Sequence, residues 1–271
     1  MTEGTGFTVE RTTDRIDIVF EAGRFDALST SPGTGLVGSV AGISVGGAGP
    51  TGDGWMRLDP HSPVGSTSVT TLSKGRNTVT CICSSDMTSG TSRAGDRAGT
   101  APGCGTNVVL IIGADMPVSS MARAAVTLTE AVTTVMQDMT VRASPGSGVS
   151  SGSVVQDITV VRDRGSGVFI HGTGKHSYMG EIIGRCARMS LFESARANGL
   201  VEKDAFDHVP ALRGAADVPP GHLLPLASSL TFLRDAVGWG LVPDDAGEDV
   251  FGELTRGLPG EVVDDLPGPH S

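Results

Sequence analysis

The sequence has no surplus of positive charge, no long apolar run and no convincing spacing of metal ligands. Lys and Arg number 20 against 30 Asp and Glu, for a net charge of −10. That balance argues against phosphate-backbone binding, so no nucleic-acid partner is expected. Lysines are only Lys74, Lys175 and Lys203, a composition bias that carries little functional weight. The longest apolar stretch, Val108 to Ile112, is far short of the roughly 20 residues needed to span a bilayer. Met1 to Gly6 is acidic and small and leads into no apolar segment, so a cytoplasmic protein with no membrane partner is expected. The four cysteines are Cys81, Cys83, Cys104 and Cys186. The Cys81-x-Cys83 pair is too short for a zinc knuckle, and on a strand both would point the same way. Buried thiols in a reducing cytosol are expected, and no metal or cofactor. Aromatics make up 4%, with one Tyr and two Trp.

What is present is glycine, 39 residues of it in 271, which predicts many tight turns and backbone-lined loops. A content of 38% hydrophobic and 18% charged residues is globular, and the length suffices for a real core. Arg15 to Glu21 alternates and predicts a strand, with Arg24 to Leu28 as its hairpin partner. Asn77 to Ile82 predicts a short strand, and Ser84 to Gly105 a loop of about 20 residues, either functional or disordered. Val108 to Ile112 suits a strand buried on both faces. Val118 to Asp138 predicts the clearest helix, with Pro117 in its first turn and Ser119 or Ser120 as cap. Its stripe is Met121, Ala125, Leu128, Val132, Val135 and Met139. Strands are expected at Thr140 to Ala143, Val154 to Arg162 and Val168 to His171. A second helix is expected over Tyr178 to Asn198, buried through Met179, Ile182, Ile183, Cys186 and Met189. Beyond Gly199 the chain turns proline-rich and acidic, with helices expected near His222 to Val237 and Val250 to Arg256. The expected organisation is a part spanning 1–199 and an extension spanning 200–271. The expected fold is α/β or α+β, a mixed β-sheet with packed helices. Oligomeric state is not legible.

Chemistry concentrates at His171-Gly172-Thr173-Gly174-Lys175-His176-Ser177, which runs from a strand end into a helix start. Glycines admit close backbone approach, the helix start offers free N–H groups, and His176 shuttles protons near neutral pH. Such a turn suits an anion or an oxyanion. It fails the nucleotide phosphate-loop pattern at two defining positions, Phe169 and His176. Ser177 as a helix cap explains part of the segment by itself. Glu130 lies opposite the apolar stripe with Thr127, Thr134 and Gln137, which reads as a solvated face. Glu181, four residues before Arg185, reads as an exposed ion pair. Asp157, among apolar strand residues, is either outward-facing or paired. Asp59 to Gly65 is one residue too long for the Asp-x-His-x-x-Gly arrangement of cobalamin-dependent enzymes and reads as a turn.

Three segments together resemble one family. They are Thr129-Glu130-Ala131, Ser151-Gly152-Ser153-Val154-Val155-Gln156-Asp157, and Gly174-Lys175-His176-Ser177-Tyr178-Met179-Gly180-Glu181-Ile182-Ile183-Gly184. Over roughly residues 15 to 199 the chain resembles the adenosylcobinamide amidohydrolases, the third segment being the specific one. The resemblance implies hydrolysis of the amide joining aminopropanol to a corrinoid, with a small-molecule corrinoid as partner. It makes His176, Glu130, Asp157 and Glu181 the candidate catalytic residues. Gly174, Lys175, Ser177, Ser153 and Thr129 become the candidate substrate contacts. His176 would shuttle the proton, and Asp157 or Glu130 would orient it or activate water. Ser153 or Ser177 is the candidate nucleophile. Ser151, Ser153 and Gln156 depart from the family's middle motif, and this leaves room for a binding protein on the same scaffold.

Overall fold

The structure is a computed structural model. It describes residues 2–4, 6–60, 62–87, 90–95, 105–139, 141, 143, 149–198, 226, 229, 230, 233, 234, 236, 237, 242–258, 260–264, 266, 268 and 269. In chain order the first strands are β1 (Thr2–Gly4), β2 (Phe7–Arg11), β3 (Arg15–Phe20), β4 (Phe25–Ser29), β5 (Leu36–Val37), β6 (Gly42–Gly46) and β7 (Trp55–Leu58). A 3-10 turn at Val64–Ser66 leads to β8 (Ser68–Lys74), β9 (Asn77–Ser85), β10 (Thr91–Ser92) and β11 (Gly105–Ile112). Helix α1 (Val118–Asp138), β12 (Gly152–Ser153), β13 (Val155–Asp163) and α2 (Tyr178–Ala197) complete the body. Farther on come α3 (Asp244–Thr255) and α4 (Gly260–Asp264).

Two mixed sheets result. One has the order β1-β2-β3-β6-β7 and the other β5-β4-β13-β11-β9-β8, while β10 and β12 form a separate pair. In the first sheet β6 and β7 run parallel, and in the second β11 and β13 do. The parallel pair β11–β13 requires a crossover, which α1 provides. The six-stranded sheet is the middle layer of three. On one face Ile82, Val109, Ile111 and Val161 meet Ile16, Ile18, Phe20 and Ile43 of the five-stranded sheet. On the other, Cys83, Val108, Leu110, Ile158 and Val160 meet Leu128, Val132, Ile183 and Leu191 of the helices. This is an α+β fold.

Helix α1 has the predicted bounds, and Met121, Leu128, Val132, Val135 and Met139 are buried, with Ala125 half-buried. Its cap differs. Pro117 holds the cap position without a side-chain hydrogen bond, and the Ser120 hydroxyl donates instead to the His171 carbonyl at 2.6 Å. Strand β11 is buried along its whole length, as its unbroken apolar run predicts.

Several expectations need correction. Arg24 to Leu28 is a strand but not the hairpin partner of β3. The edges of β3 are occupied by β2 and β6, so β4 crosses to the other sheet and pairs with β13 and β5. Gly23 turns the chain there at φ 71°, a left-handed value glycine adopts without penalty. Val168 to His171 forms only a single bridge, Asp115 with Phe169. Pro117 starts a helix two residues later, so the ladder has no partner to continue on. Val141 and Ala143 are buried but not in a strand, while 140 and 142 lie outside the described residues. Most of 222–237 also lies outside them, though Ser229, Leu230, Leu233 and Arg234 are helical. Helix α3 begins before the expected Val250.

Helix α2 follows its prediction, with Ser177 capping Gly180 N at 3.0 Å. Met189, expected inside, is 46% exposed. The buried arc instead runs through Ile183, Cys186, Ala187, Ser190 and Ser194. Both serines bond to the sheet, Ser190 to Ser68 Oγ at 2.6 Å and Ser194 to Ser85 N at 3.1 Å.

Cys81, Cys83 and Cys186 are free and buried, and burial raises all three thiols, Cys186 to about 12. They are inert packing groups. Cys104 lies outside the described residues. Among the described residues no helix is long and apolar enough to cross a membrane.

Candidate active site

The turn from Gly172 to Ser177 is held by hydroxyl groups. Besides the Ser120–His171 bond, Thr127 Oγ1 donates to the Thr173 carbonyl at 2.9 Å, and Thr173 Oγ1 donates to the Ser120 carbonyl at 2.7 Å. These bonds fasten the turn to α1. They also place Thr127 inside, 3% exposed, on the face expected to be solvated. On the helix side the approach is closer still. A Cβ at Gly180 would sit 2.0 Å from the Gly174 carbonyl oxygen, so the first turn of α2 rests on the loop backbone itself. Only glycine permits that approach.

This anchoring brings α1 and the turn together around a cavity of about 220 Å³ lined by Arg123, Val126, Glu130, Lys175, His176 and Ser177. Lys175 Nζ donates to Glu130 Oε1 at 2.9 Å, joining residues far apart in the chain. His176 is exposed on the same turn. Ser177 N–H donates to the Gly174 carbonyl at 2.7 Å, so that donor is used within the turn. Among the described residues, the N–H groups of Lys175 and His176 have no partner in the turn. Val126 and Glu130 continue, with Thr129 and Thr133, into an adjoining cavity of about 300 Å³. Five candidates, Glu130, Gly174, Lys175, His176 and Ser177, therefore share one place, and Thr129 borders it.

The others lie elsewhere. Glu181 accepts from Lys74 Nζ at 3.2 Å and pairs with Arg185 at 3.5 Å on the outer face of α2. The Lys74 ammonium also lies 4.5 Å from the Tyr178 ring centre. Thr129 Oγ1 donates to the Ala125 carbonyl of its own helix at 2.9 Å. Ser153 is buried in a chain of hydroxyls with Thr106 at 2.7 Å and Ser85 at 2.8 Å. The Ser177 hydroxyl caps α2 and also donates to the Gly174 carbonyl at 2.7 Å. Both candidate serine nucleophiles are thus already engaged.

Asp157 is buried, 7% exposed, on the opposite face of the sheet from Glu130. Side chains alternate along β13, so Asp157 shares the inter-sheet face with Val161, whereas Ile158 and Val160 face the helices. Its register neighbour is Asn107, whose other neighbour is Ser84. Asn107 donates to the Asp59 carbonyl at 3.3 Å, Ser84 bonds Ser62 at 2.7 Å, and Asn107 Oδ1 is buried without a partner among the described residues. Asp59 and Ser62 are thereby each tied to this polar row of Ser84, Asn107 and Asp157. His61 lies outside the described residues. No group of three or more His, Cys, Asp or Glu among the described residues is placed to hold a metal ion.

Fold and site together define an α+β protein with acid/base groups at a helix-start turn braced by a crossover helix. The family model for adenosylcobinamide amidohydrolase matches residues 46–201, more than half of the chain, and the chain belongs to that family. The match begins after β1–β5, later than the residue 15 expected from the motifs. An uncharacterized protein of Methanocaldococcus jannaschii, MJ1613, is 36% identical over 93 residues, covering 32% of this chain and 34% of that protein. The chain thus spans about a third of the length of the curated relative it matches.

Proposed function

We propose that this protein hydrolyses the amide joining aminopropanol to the corrinoid in adenosylcobinamide, releasing adenosylcobyric acid for cobalamin salvage in the cytoplasm. The supporting observation is the meeting of Glu130, Lys175 and His176 at one cavity. Amide hydrolysis needs an activated water or nucleophile, a proton donor for the leaving amine and a site for the oxyanion. Glu130 takes a proton from water, whose oxygen attacks the amide carbon. The N–H groups of Lys175 and His176 receive the oxyanion. His176 gives a proton to the amine nitrogen as the C–N bond breaks. Lys175 orients Glu130. Water is preferred to serine because the Ser153 and Ser177 hydroxyls are committed to neighbouring groups. Gly174 and Thr129 shape the approach to the amide. Asp157 and Glu181 lie outside this cavity and take no part in the proposed steps.

Residues 1–199 carry this site, with 200–271 as an extension. The test is incubation of the full chain with adenosylcobinamide and measurement of free aminopropanol. Release of aminopropanol supports the reading. Retention of intact, bound cobinamide supports the second reading, a corrinoid-binding protein, which the solvent exposure of Lys175 and His176 favours.

A further inference from the structure

A second, larger cavity lies beyond the other end of α1. It measures about 1030 Å³, and its walls come from both parts of the chain. Phe192 of α2 and Gln137 of α1 form one side, and Leu233, Ala236 and Val250 form the other. Arg93 and Ser151 stand at its border as polar groups. Ligand pockets run to roughly 300–1,000 Å³, lined by apolar groups with a few polar ones. This cavity sits at the upper end of that range, so it suits a macrocycle better than a metabolite of ordinary size.

The cavity is in line with the candidate active site. Glu130 and Thr133 follow one another on a single face of α1, and Gln137 is the next residue of that row. Gln137 is about two turns past Glu130, some 10 Å along the axis at 1.5 Å per residue. Thr133 Oγ1 donates to the Ser151 carbonyl at 2.8 Å, so the middle cavity borders the same segment that lines the large one. We infer that this seam between α1, α2 and the residues Leu233, Ala236 and Val250 holds the corrin ring, while an amide-bearing arm reaches along α1 to Glu130 and His176. The inference rests on the proposed amide hydrolysis for the identity of the ring. It gives Leu233, Ala236 and Val250 of the extension a role: they supply the apolar wall that covers the macrocycle.

The test fills the cavity from exposed positions, where a larger side chain leaves the core intact. Gln137→Trp and Val250→Trp are made separately in the full chain, and their melting temperatures are compared with wild type. Binding of hydroxocobinamide is read by equilibrium dialysis through its visible absorbance. Release of aminopropanol from adenosylcobinamide is measured in parallel. The expected result is a Kd raised about tenfold or more in both variants, from the clash built against the ring, with unchanged melting. Unchanged Kd in both variants, or no binding by wild type, overturns the inference. If the variants weaken binding but wild type releases no aminopropanol, the ring site stands and the hydrolase reading falls. If wild type cleaves the amide and the variants keep its KM, the hydrolase reading stands and the ring sits elsewhere.

Discussion

Two groups of carboxylates divide this molecule. At the end of the six-stranded sheet, Asp163 receives Arg24 Nε at 2.5 Å, and Asp26 receives Arg162 Nη2 at 2.6 Å. Both acids are buried, 1% and 5% exposed. On the helix layer Glu130 and Glu181 stand about half in water, each beside a lysine. The first group cannot lose a partner without leaving a charge stranded in the interior. The second contributes little to stability, because water competes for every contact. Lys175 can therefore leave Glu130 for a substrate at small cost, whereas Arg24 cannot leave Asp163. An acid that chemistry can borrow is one on which the fold does not depend.

The largest effect that sharpens this division is on catalysis. Glu130→Gln should lower aminopropanol release by about 10²–10⁴ with an unchanged melting temperature. His176→Ala should lose a similar factor with substrate binding largely kept. If either variant melted early and kept its activity per folded molecule, that residue would belong with the fold-holding set. Next in size is Asp163→Ala, which should destabilise by about 1–3 kcal/mol in urea titration, because Arg24 loses its buried acceptor and keeps only Glu21 at 2.7 Å. A shift under 1 kcal/mol would erase the contrast between the two groups.

Acid should weaken the hold on Asp26. Burial pushes Asp26 upward, but the Ser39 N–H and the Arg162 and Arg164 guanidiniums outweigh it and hold the group below its usual range. The unfolded chain therefore takes up this proton first. The stabilisation is complete above an ordinary Asp pKa of about 3.9 and is lost as pH falls through the lower folded value. Urea midpoints measured from pH 6 downward should show this decline, and Asp26→Asn should flatten it. The smallest effect is expected from Glu181→Gln, about 0–1 kcal/mol, because its partners Lys74 and Arg185 are exposed.

Local pattern carried much of this structure. The stripe from Met121 to Met139 and the proline before it bounded α1, and Ser177 declared the start of α2. Long-range pairing was beyond it. Nothing in Phe25 to Ser29 says that its partner is β13 rather than the nearer β3. Asp157 was ambiguous for a related reason. A strand lying between two cores is apolar on both faces, so alternation loses its phase and cannot tell which side a polar residue takes. Ser190 and Ser194 were unreadable as buried groups because their acceptors and donors come from strands about a hundred residues earlier. At the site, the turn from Gly172 to Ser177 was evident from its residues. Its meeting with Glu130 depended on hydroxyl bonds to α1 that no spacing encodes.

The bond between Arg24 and Asp163 joins positions 139 residues apart. A ribosome adding about 5–20 residues per second needs roughly 7–30 s to make the intervening chain. Throughout that interval β4 has been synthesised but its partner β13 has not. The middle layer thus closes only after the crossover helix has been made, and the pocket on that helix waits a little longer, for the turn at Gly174 to Ser177.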